Sequence, residues 1–354
     1  MPQQTAVPTE SAVLEALRSV QDPDLRQDIV ALGFVKNLKV CGGSVAFTIE
    51  LTTPACPVKD LMRTQAERAV SAVPGVGAVA VEMTARVTAS RPLLGDKGTI
   101  PGVKNVLAVS SGKGGVGKST VAVNLACALQ RSGARVGILD ADVYGPNVPL
   151  MLGVSGQPIV KDKKIVPFER HGLQIMSMAL LVADDQPVIW RGPMLHSAVR
   201  QFLFDVAWHD LDYLVVDLPP GTGDAQLSLS QQAHLMGAII VTTPQDVSVL
   251  DVRKAIRMFQ TVNVPILGVV ENMAWFTPPG QTTRYELFGK GGGERIQREF
   301  GVPLLGQIPI EIAVREGGDS GQPVTVSHPD SASGRALTEI AGRVAQRVSI
   351  LNAE

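Results

Sequence analysis

The chain has 354 residues, enough for two domains of ordinary size, and its 32 Lys and Arg residues nearly balance its 33 Asp and Glu residues. A net charge of −1 and an aromatic content of 4% argue against binding to nucleic acid or to an anionic membrane. No apolar run approaches the roughly 18 residues of a membrane span, the N-terminus lacks a signal pattern, and three cysteines are too few for a disulfide framework, so we expect a cytoplasmic protein.

Residues 1–90 are predicted to form a small α/β domain, followed by a linker at 91–104 that is rich in Pro, Gly and charge. The predicted elements are a helix at 11–20, strands at 33–40 and 45–51, a helix at 58–72 and a strand at 79–83. Gly42-Gly43 separates the first two strands and indicates a hairpin. Pro57 fits the first turn of the second helix, which places Cys56 at or beside the N-cap.

A phosphate-binding loop is predicted at 110–120, where an apolar run leads into SSGKGGVGKST and a helical pattern leads out. Glycines between a strand and a helix let backbone N–H groups converge on an anion at the helix N-terminus. The spacing also fits G-x-x-x-x-G-K-[ST], in which Lys118 reaches the β- and γ-phosphates and the Ser119 hydroxyl binds Mg²⁺. The predicted nucleoside-triphosphate site comprises Gly112, Lys113, Gly114, Gly115, Val116, Gly117, Lys118, Ser119 and Thr120.

Residues 105–354 form the predicted second domain, in which short apolar runs alternate with helical patterns. The runs lie at 136–139, 213–216, 238–241 and 266–270, and they do not alternate with polar residues. Strands that are buried on both faces have this pattern, so we expect an α/β domain with a mostly parallel sheet flanked by helices.

Carboxylates follow two of the predicted strands. Asp140 and Asp142 come after the run at 136–139, and Asp217 comes after the run at 213–216. Ligands bind at the carboxyl ends of such strands. A nucleotide with bound Mg²⁺ needs carboxylates that hold the metal's waters and a group that orients the attacking water. The sequence therefore predicts magnesium and nucleotide chemistry at this edge of the sheet.

Lys113 lies five residues before Lys118 and makes the loop resemble the deviant Walker A motif, K-G-G-x-G-K-[ST]. This motif belongs to the family of dimeric ATPases that includes MinD, the arsenite-pump ATPase and the nitrogenase iron protein. The resemblance implies a homodimer in which Lys113 crosses to the partner's nucleotide. The physical logic is that of an arginine finger, a cation delivered where charge develops during phosphoryl transfer.

Further stretches resemble the Mrp/ApbC subfamily of ATP-dependent iron–sulfur cluster carriers, and the match runs through essentially the whole of 105–354. They are DVYGPNVP at 142–149, WRGPM at 190–194 and DYLVVDLPPGTGD at 212–224. The N-terminal domain, with DPDL at 22–25 and TPACP at 53–57, is similar to the iron–sulfur assembly domain that is often fused in front of this ATPase. The resemblance implies ATP hydrolysis and transfer of iron–sulfur clusters to apoproteins.

The same resemblance implies roles for individual residues. Asp142 would orient the attacking water, while Asp140 and Asp217 would hold waters of the magnesium ion. Asn272 would read the adenine edge, and the loop QIPIE at 307–311, with Pro309, would pack on the base. Catalysis is thereby assigned to Lys113, Lys118 and Asp142.

The segment after Glu271-Asn272-Met273 departs from the family pattern. The family's cluster usually bridges a C-x-x-C pair from each subunit at this place, and here 271–292 keeps the flanks but contains no cysteine. Iron–sulfur clusters are held mainly by Cys thiolates, so the usual bridging site cannot form. Chloroplast and cyanobacterial relatives also lack the pair, so its loss does not remove the chain from the family.

The three cysteines remain as candidate cluster ligands. Cys127 lies in an apolar helical run and is expected to be a small buried hydrophobe. Cys41 borders the Gly42-Gly43 turn, where partial exposure is expected, and no second cysteine is spaced to pair with it. For Cys56, a helix N-terminus and the nearby Lys59 should favour the thiolate, which makes it the leading candidate, although a lone cysteine in a turn is often structural.

Two other functions fit parts of the pattern. A MinD-like positioning switch needs a basic amphipathic C-terminal helix, whereas the helical pattern at 335–348 lacks lysine and aromatic residues and is expected to pack on the sheet. Redox chemistry like that of the nitrogenase iron protein needs two cysteines in the ATPase domain, where only Cys127 lies. The leading hypothesis is therefore a carrier that uses ATP, Mg²⁺ and an iron–sulfur cluster, with apo-iron–sulfur acceptor proteins and assembly factors as partners.

Overall fold

The computed structural model describes residues 7–90, 98–142, 145–181 and 192–353. It divides the chain into two compact units, Met1–Thr88 with Ser349–Glu354 and Ala89–Val348. Parts of three stretches that entered the sequence prediction lie outside the described residues: 91–97 of the linker, Val143-Tyr144 and Trp190-Arg191.

The first unit has a three-stranded sheet in the order β3-β4-β5, with β4 antiparallel to β3 and parallel to β5. Its elements are α1 (Glu10–Leu17), β1 (Gln21–Asp22), β2 (Gln27–Asp28), β3 (Val35–Cys41), β4 (Ser44–Leu51), α2 (Lys59–Ser71) and β5 (Ala78–Ala85). The predicted hairpin is present, since Cys41 and Ser44 pair across the Gly42-Gly43 turn. Its core includes Leu17, Ile49 and Met62.

The start of α2 corrects one prediction. The helix begins at Lys59 with Val58 as its N-cap, so Pro57 precedes the helix and Cys56 lies two residues before the N-cap. A turn closes first, in which the Lys59 N–H donates to the Cys56 carbonyl at 3.3 Å. Helix boundaries inferred from pattern alone commonly shift by this amount, because the local turn and not the periodicity decides where the helix starts.

The second unit contains the larger sheet and the helices that cover it. Its strands are β6 (Val103–Ser111), β7 (Val136–Asp140), β8 (Val160–Lys161), β9 (Lys164–Ile165), β10 (Phe168–Arg170), β11 (Leu173–Ser177), β12 (Leu211–Asp217), β13 (Gly237–Thr242), β14 (Ile266–Glu271) and β15 (Leu304–Gln307). Its helices are α3 (Lys118–Arg131), α4 (Val148–Leu152), α5 (Gly192–Phe204), α6 (Asp224–Gln232), α7 (Asp246–Thr261), α8 (Gly292–Phe300), α9 (Ile312–Asp319), α10 (Val324–Ser327) and α11 (Ala332–Ala353).

The larger sheet has eight strands in the order β10-β11-β7-β12-β6-β13-β14-β15. Only the β10–β11 pair is antiparallel, and the other pairs are parallel. The residues of β7, β12 and β13 are all buried, as the unbroken apolar runs predict for strands covered on both faces. The expected doubly covered parallel sheet is confirmed.

Three boundaries differ from the prediction. The first domain was expected to end at residue 90, but the first unit ends at Thr88 and Ala89 begins the second. The linker was expected to reach residue 104, but Val103 and Lys104 already belong to β6. The ATPase domain was expected to continue to residue 354, whereas Ser349–Glu354 groups with the first unit. Apolar periodicity continues without a break along α11, so no change of composition marks this boundary.

Helix α11 packs on the edge of the large sheet. The Arg343 guanidinium donates to the Leu305 carbonyl on β15 at 2.7 Å, and a Cβ on Gly306 would lie 2.6 Å from Ile340 Cγ1. Its apolar side chains at 337, 340 and 344 are buried, so this face is not available to lie on a membrane. Within the described ranges, no helix is both long and apolar enough to span a bilayer.

Candidate nucleotide-binding site

The phosphate-binding loop joins the end of β6 to the start of α3. Gly115 and Gly117 both have φ +80°, a left-handed conformation that glycine adopts at little cost. Close packing adds a second requirement, because a Cβ on Gly112 would lie 2.3 Å from the backbone carbonyl carbon of Asp251. Lys118 is the first residue of α3, so the loop delivers its backbone N–H groups to the positive end of that helix. This is the geometry of a phosphate cradle.

Three strand-end carboxylates lie around the Lys118 ammonium. In the sheet register Asp217 is the neighbour of Asp140, which brings the ends of β12 and β7 together. Lys118 Nζ donates to Asp217 Oδ1 at 2.7 Å and lies 3.4 Å from Asp142 Oδ2. Lys118 is only 6% exposed and Asp217 is fully buried, so this pair is shielded from solvent.

Asp140 organises the backbone that carries Asp142. Its Oδ1 accepts the Asp142 N–H at 3.1 Å, and its Oδ2 accepts the Val148 N–H at 3.2 Å and the Ser177 hydroxyl at 3.1 Å. The sequence did not predict a role for Ser177, because a serine at the end of an apolar run is not distinctive of a functional site. The Asp140 carboxylate therefore holds the chain that leaves β7 in place.

The site is crowded with negative charge. Burial, followed by the charge of Asp217, raises the pKa of Asp140 to about 8. Burial also raises the pKa of Asp217, although Lys118 acts against this shift. One ammonium thus compensates incompletely for several buried carboxyl groups, and a bound cation would relieve the remaining repulsion.

The oxygen atoms of this site fit a magnesium ion. Among the described residues, Asp217 Oδ2 is buried without a hydrogen-bond partner, and the Ser119 hydroxyl stands 3.3 Å from Lys118 Nζ. The described part of the chain has no group of three or more His, Cys, Asp or Glu side chains arranged to hold a metal by themselves. Mg²⁺ suits such a place, because it keeps several waters and is usually bound by one or two protein oxygens together with phosphates.

Lys113 contacts a residue of its own chain. Its Nζ lies 3.5 Å from Gln245 Oε1, and the same oxygen accepts the Thr243 hydroxyl at 3.2 Å. Gln245 is the N-cap residue of α7. A contact of this length is weak, so the side chain of Lys113 can leave it at little cost.

The residues expected beside the base have other contacts. Asn272 Nδ2 donates to the Val116 carbonyl at 2.9 Å, so its amide supports the phosphate-binding loop. Pro309 is buried, and its carbonyl accepts the Ser333 hydroxyl at 3.2 Å. The Ala274 N–H donates to the Ile308 carbonyl at 2.9 Å, which brings the two segments side by side. Their contacts with adenine stay predictions.

Glu271 is buried, and the sequence prediction gave it no role. Its Oε2 accepts the Gly293 N–H at 2.6 Å, and its Oε1 accepts the Gln307 amide at 2.7 Å. The carboxylate thereby ties β14 to the first turn of α8 and to the end of β15. The signal that singled out Asp217, a carboxylate directly after an apolar run, also applies to Glu271 and would have found it.

One antiparallel bridge closes the middle of the segment 273–291. Phe276 and Tyr285 exchange backbone hydrogen bonds at 2.9 and 2.8 Å. The Arg284 guanidinium stands 4.3 Å from the centre of the Trp275 ring, a cation–π contact. A cation–π contact and backbone pairing therefore stabilise the segment in which the C-x-x-C pair was expected and is missing.

The cysteines differ from one another in burial. Cys56 is half-buried, and burial raises the pKa of its thiol. A hydrogen bond from the Val58 backbone acts against this rise, Asp22 and Asp24 add to it, and Lys59 opposes it least. The predicted preference for a thiolate at Cys56 is therefore wrong, because desolvation outweighs both the backbone hydrogen bond and the nearby lysine. Cys127 is buried as predicted, with a pKa of about 12, and Cys41 is exposed.

Two family models match the chain: one described as NUBPL iron-transfer P-loop NTPase over residues 102–345, and one described as iron-sulfur cluster assembly protein over residues 10–82. An iron-sulfur cluster carrier protein of Synechocystis is 53% identical over 348 residues, which is 97% of this chain and 98% of the relative. One of Deinococcus radiodurans is 50% identical over 96% of this chain and 95% of the relative. A nucleotide-binding protein of Archaeoglobus fulgidus, solved in complex with ADP, aligns with a TM-score of 0.58 and 38% identity over 66% of this chain and 91% of that structure.

Proposed function

The chain belongs to the family of NUBPL iron-transfer P-loop NTPases, and we propose that it hydrolyses ATP as a cytoplasmic homodimer and carries iron–sulfur clusters to apoproteins. The observation that carries this proposal is the buried Lys118–Asp217 pair at the mouth of the phosphate-binding loop, with Asp142 beside it. Near-full-length relatives that are named iron-sulfur cluster carrier proteins support the choice of cargo.

In the proposed reaction, the β- and γ-phosphates draw Lys118 away from Asp217. The Lys118 ammonium then neutralises charge that develops as the terminal phosphoryl group leaves. Asp142 orients the attacking water through its carboxylate, which Asp140 positions by accepting the Asp142 N–H. Magnesium bound with the nucleotide supplies further charge neutralisation, and Ser119, Asp140 and Asp217 are the residues that would hold it and its waters.

The dimer gives Lys113 its role. In the free subunit its ammonium rests near Gln245, at a distance that permits exchange for a stronger partner. A phosphate of the partner's nucleotide is such a partner, because its negative charge attracts the ammonium as an ion pair, whereas the Gln245 amide is neutral. Lys113 would therefore act in ATP hydrolysis by the dimer and contribute little to the binding of nucleotide by a single subunit.

The cluster has to bind without the usual cysteine pair. Cys56 is the candidate thiol in the N-terminal unit, and its raised pKa means that it would bind iron by giving up a proton that it otherwise keeps at neutral pH. Acceptor apoproteins and assembly factors are the proposed partners. No described observation favours a MinD-like switch, since the apolar face of α11 is buried.

Anaerobic reconstitution with iron and sulfide tests this function. We expect charge-transfer absorption in the visible range and transfer to an apo-ferredoxin, together with Mg²⁺-dependent ATP hydrolysis that Lys118→Ala abolishes. Lys161→Ala, a change on the exposed hairpin strand β8, serves as the matched control and should hydrolyse ATP normally. Hydrolysis that survives in Lys118→Ala would refute the ATPase assignment, and a colourless protein that transfers nothing would refute the cargo.

A further inference from the structure

The first turn of α11 is capped by a carboxylate from another part of the chain. Glu311 Oε2 accepts the Ser333 N–H at 2.7 Å, and its Oε1 accepts the Ala332 N–H at 3.3 Å. The next N–H, that of Gly334, donates to the Ser331 hydroxyl at 3.0 Å. Burial acts against ionisation of Glu311, but hydrogen bonds from this turn outweigh it and lower its pKa. The charged carboxylate therefore satisfies N–H groups that have no partner within the helix.

The same turn holds the backbone of residues 309–311. The Ser333 hydroxyl, which is fully buried, donates to the Pro309 carbonyl at 3.2 Å. Ser333 thus binds this segment twice, through its N–H and through its hydroxyl. At the next residue, the Ile310 N–H donates to the Trp275 carbonyl at 2.7 Å. The segment 309–311 is therefore fixed both to α11 and to the chain that follows β14.

The segment 309–311 follows a strand on the far side of β6 from the carboxylates. Strands β7 and β12 end in Asp140 and Asp217 and lie on one side of β6 in the sheet, whereas β14 and β15 lie on its other side. Asn272, directly after β14, donates to the Val116 carbonyl of the phosphate-binding loop. A nucleotide whose terminal phosphate meets the carboxylates therefore extends its nucleoside toward the ends of β14 and β15.

A second set of contacts ties α10 to the helix of the phosphate-binding loop. Asn124 on α3 is 4% exposed, and its Oδ1 accepts the Thr325 N–H at 3.1 Å and the Thr325 hydroxyl at 3.0 Å. Its Nδ2 donates to the carbonyl of Thr120, in the first turn of α3, at 2.9 Å. Helix α10 leads directly through the turn 328–331 into α11. Residues 324–333, the α10–α11 corner, therefore contact both α3 and the segment 309–311.

We propose that the α10–α11 corner sets the distance between the phosphate-binding loop and the segment 309–311, with Ser333 as the positioning residue. The corner holds α3 through Thr325 and holds the segment through Ser333, so a nucleotide meets its phosphate site and its nucleoside site at a fixed separation. Such preorganisation favours a ligand that has to fit both sites at once. Inorganic pyrophosphate occupies only the phosphate site, and its binding does not depend on this distance.

This inference rests on the proposed nucleotide binding, and two ligands test it separately. Isothermal titration calorimetry with Mg²⁺ would give the dissociation constants of ADP and of pyrophosphate for the wild type and for Ser333→Ala. This change removes the donor to the Pro309 carbonyl and keeps the N–H that Glu311 accepts. The matched control is Ser230→Ala on α6, where another buried hydroxyl donates to the Leu227 carbonyl at 2.9 Å.

We expect Ser333→Ala to weaken ADP binding about fivefold and to leave pyrophosphate binding within about twofold, because it removes one hydrogen bond that positions the nucleoside site. Ser230→Ala should leave both affinities at their wild-type values. Glu311→Gln should show the same selective loss, and it decides the matter if Ser333→Ala does not fold. Equal losses for the two ligands would show a merely structural role and overturn the inference, as would unchanged ADP affinity.

The wild-type protein separates this inference from the proposed function. A wild type that binds pyrophosphate as tightly as ADP would overturn the inference alone, because no nucleoside site would then contribute. A wild type that binds neither ligand would refute the proposed nucleotide binding and the inference with it. If it binds ADP more tightly than pyrophosphate but does not hydrolyse ATP, the proposed ATPase activity is refuted and the affinities of the variants still decide the role of Ser333.

Discussion

Replacing Asp140 by Asn should remove a loss of stability that the nucleotide-free wild type shows as the pH rises. The pKa of Asp140 rises from 3.8 to about 8, mainly through burial and then through the charge of Asp217. The folded protein keeps this proton to a higher pH than the unfolded chain does, so it binds more protons between about pH 4 and pH 8. The wild type therefore loses stability as the pH rises through this window, at about 1.4 kcal/mol per pH unit and by at most about 6 kcal/mol.

The asparagine variant does not lose stability in this way, because asparagine does not titrate, but it loses one hydrogen bond of Asp140. Its amide oxygen can still accept the Asp142 N–H, but its NH₂ would face the Val148 N–H, and an unsatisfied buried donor costs about 1–3 kcal/mol. The Ser177 hydroxyl can rotate and accept from the new NH₂, so that contact survives. The variant should be the less stable protein at pH 4.5 and the more stable one at pH 8, and the two curves should cross near pH 5–6.

The assay is urea unfolding of both proteins between pH 4.5 and pH 8, in chelator and without nucleotide. Asp212→Asn is the matched control, and its difference from the wild type should stay constant over this range. Burial acts against ionisation of Asp212, but hydrogen bonds from Arg135 and Lys104 outweigh it and lower its pKa. The stability that Asp212 contributes is therefore fully present from pH 4.5 to pH 8 and is lost only at lower pH. A difference between wild type and Asp140→Asn that stays constant from pH 4.5 to pH 8 would refute the reasoning.

Three further predictions concern other parts of the molecule. Lys113→Ala should leave ADP affinity within about threefold and lower kcat at least about tenfold, because the cation acts on the developing charge; equal losses in both quantities would contradict this role. Glu271→Ala should lower the free energy of unfolding by about 2–5 kcal/mol, because it leaves the Gly293 N–H and the Gln307 amide unpaired, and Glu271→Gln should lose less; denaturation curves that coincide with wild type would exclude the clamp. Iodoacetamide at pH 7.5 should alkylate exposed Cys41 faster than Cys56, whose pKa burial raises, and mass spectrometry that finds the reverse order would show that Cys56 is activated.

The strand-end carboxylates could be predicted because two local rules determine them. Apolar runs without alternation mark buried parallel strands, and the carboxyl ends of such strands meet at one edge of the sheet. Asp140 and Asp217 are therefore brought together by register, and Asp142 follows two residues later. The phosphate-binding loop is predictable for the same reason, since strand, loop and helix are contiguous in the chain.

The polar residues that support the site could not be predicted in this way. Asn272 lies 156 positions from Val116, whose carbonyl it binds, and no local pattern links the two. Gln226 lies on the short helix α6. Glutamine is usually exposed, whereas the Gln226 side chain is fully buried. The prediction of a thiolate at Cys56 is wrong for the same reason, because the residues that bury its thiol are brought there by the tertiary structure.

The end of β14 explains how the segment without cysteines remains tied to the nucleotide site. Side chains alternate along a strand, so consecutive residues point in opposite directions. Asn272 faces the phosphate-binding loop and holds the Val116 carbonyl, while Glu271 holds the first turn of α8 through the Gly293 N–H. The segment 273–291 lies between these two anchors in the chain. Relative to the pattern expected from the sequence, the chain therefore lacks the pair of thiols, while hydrogen bonds still tie the residues that flank the segment to the phosphate-binding loop and to β14.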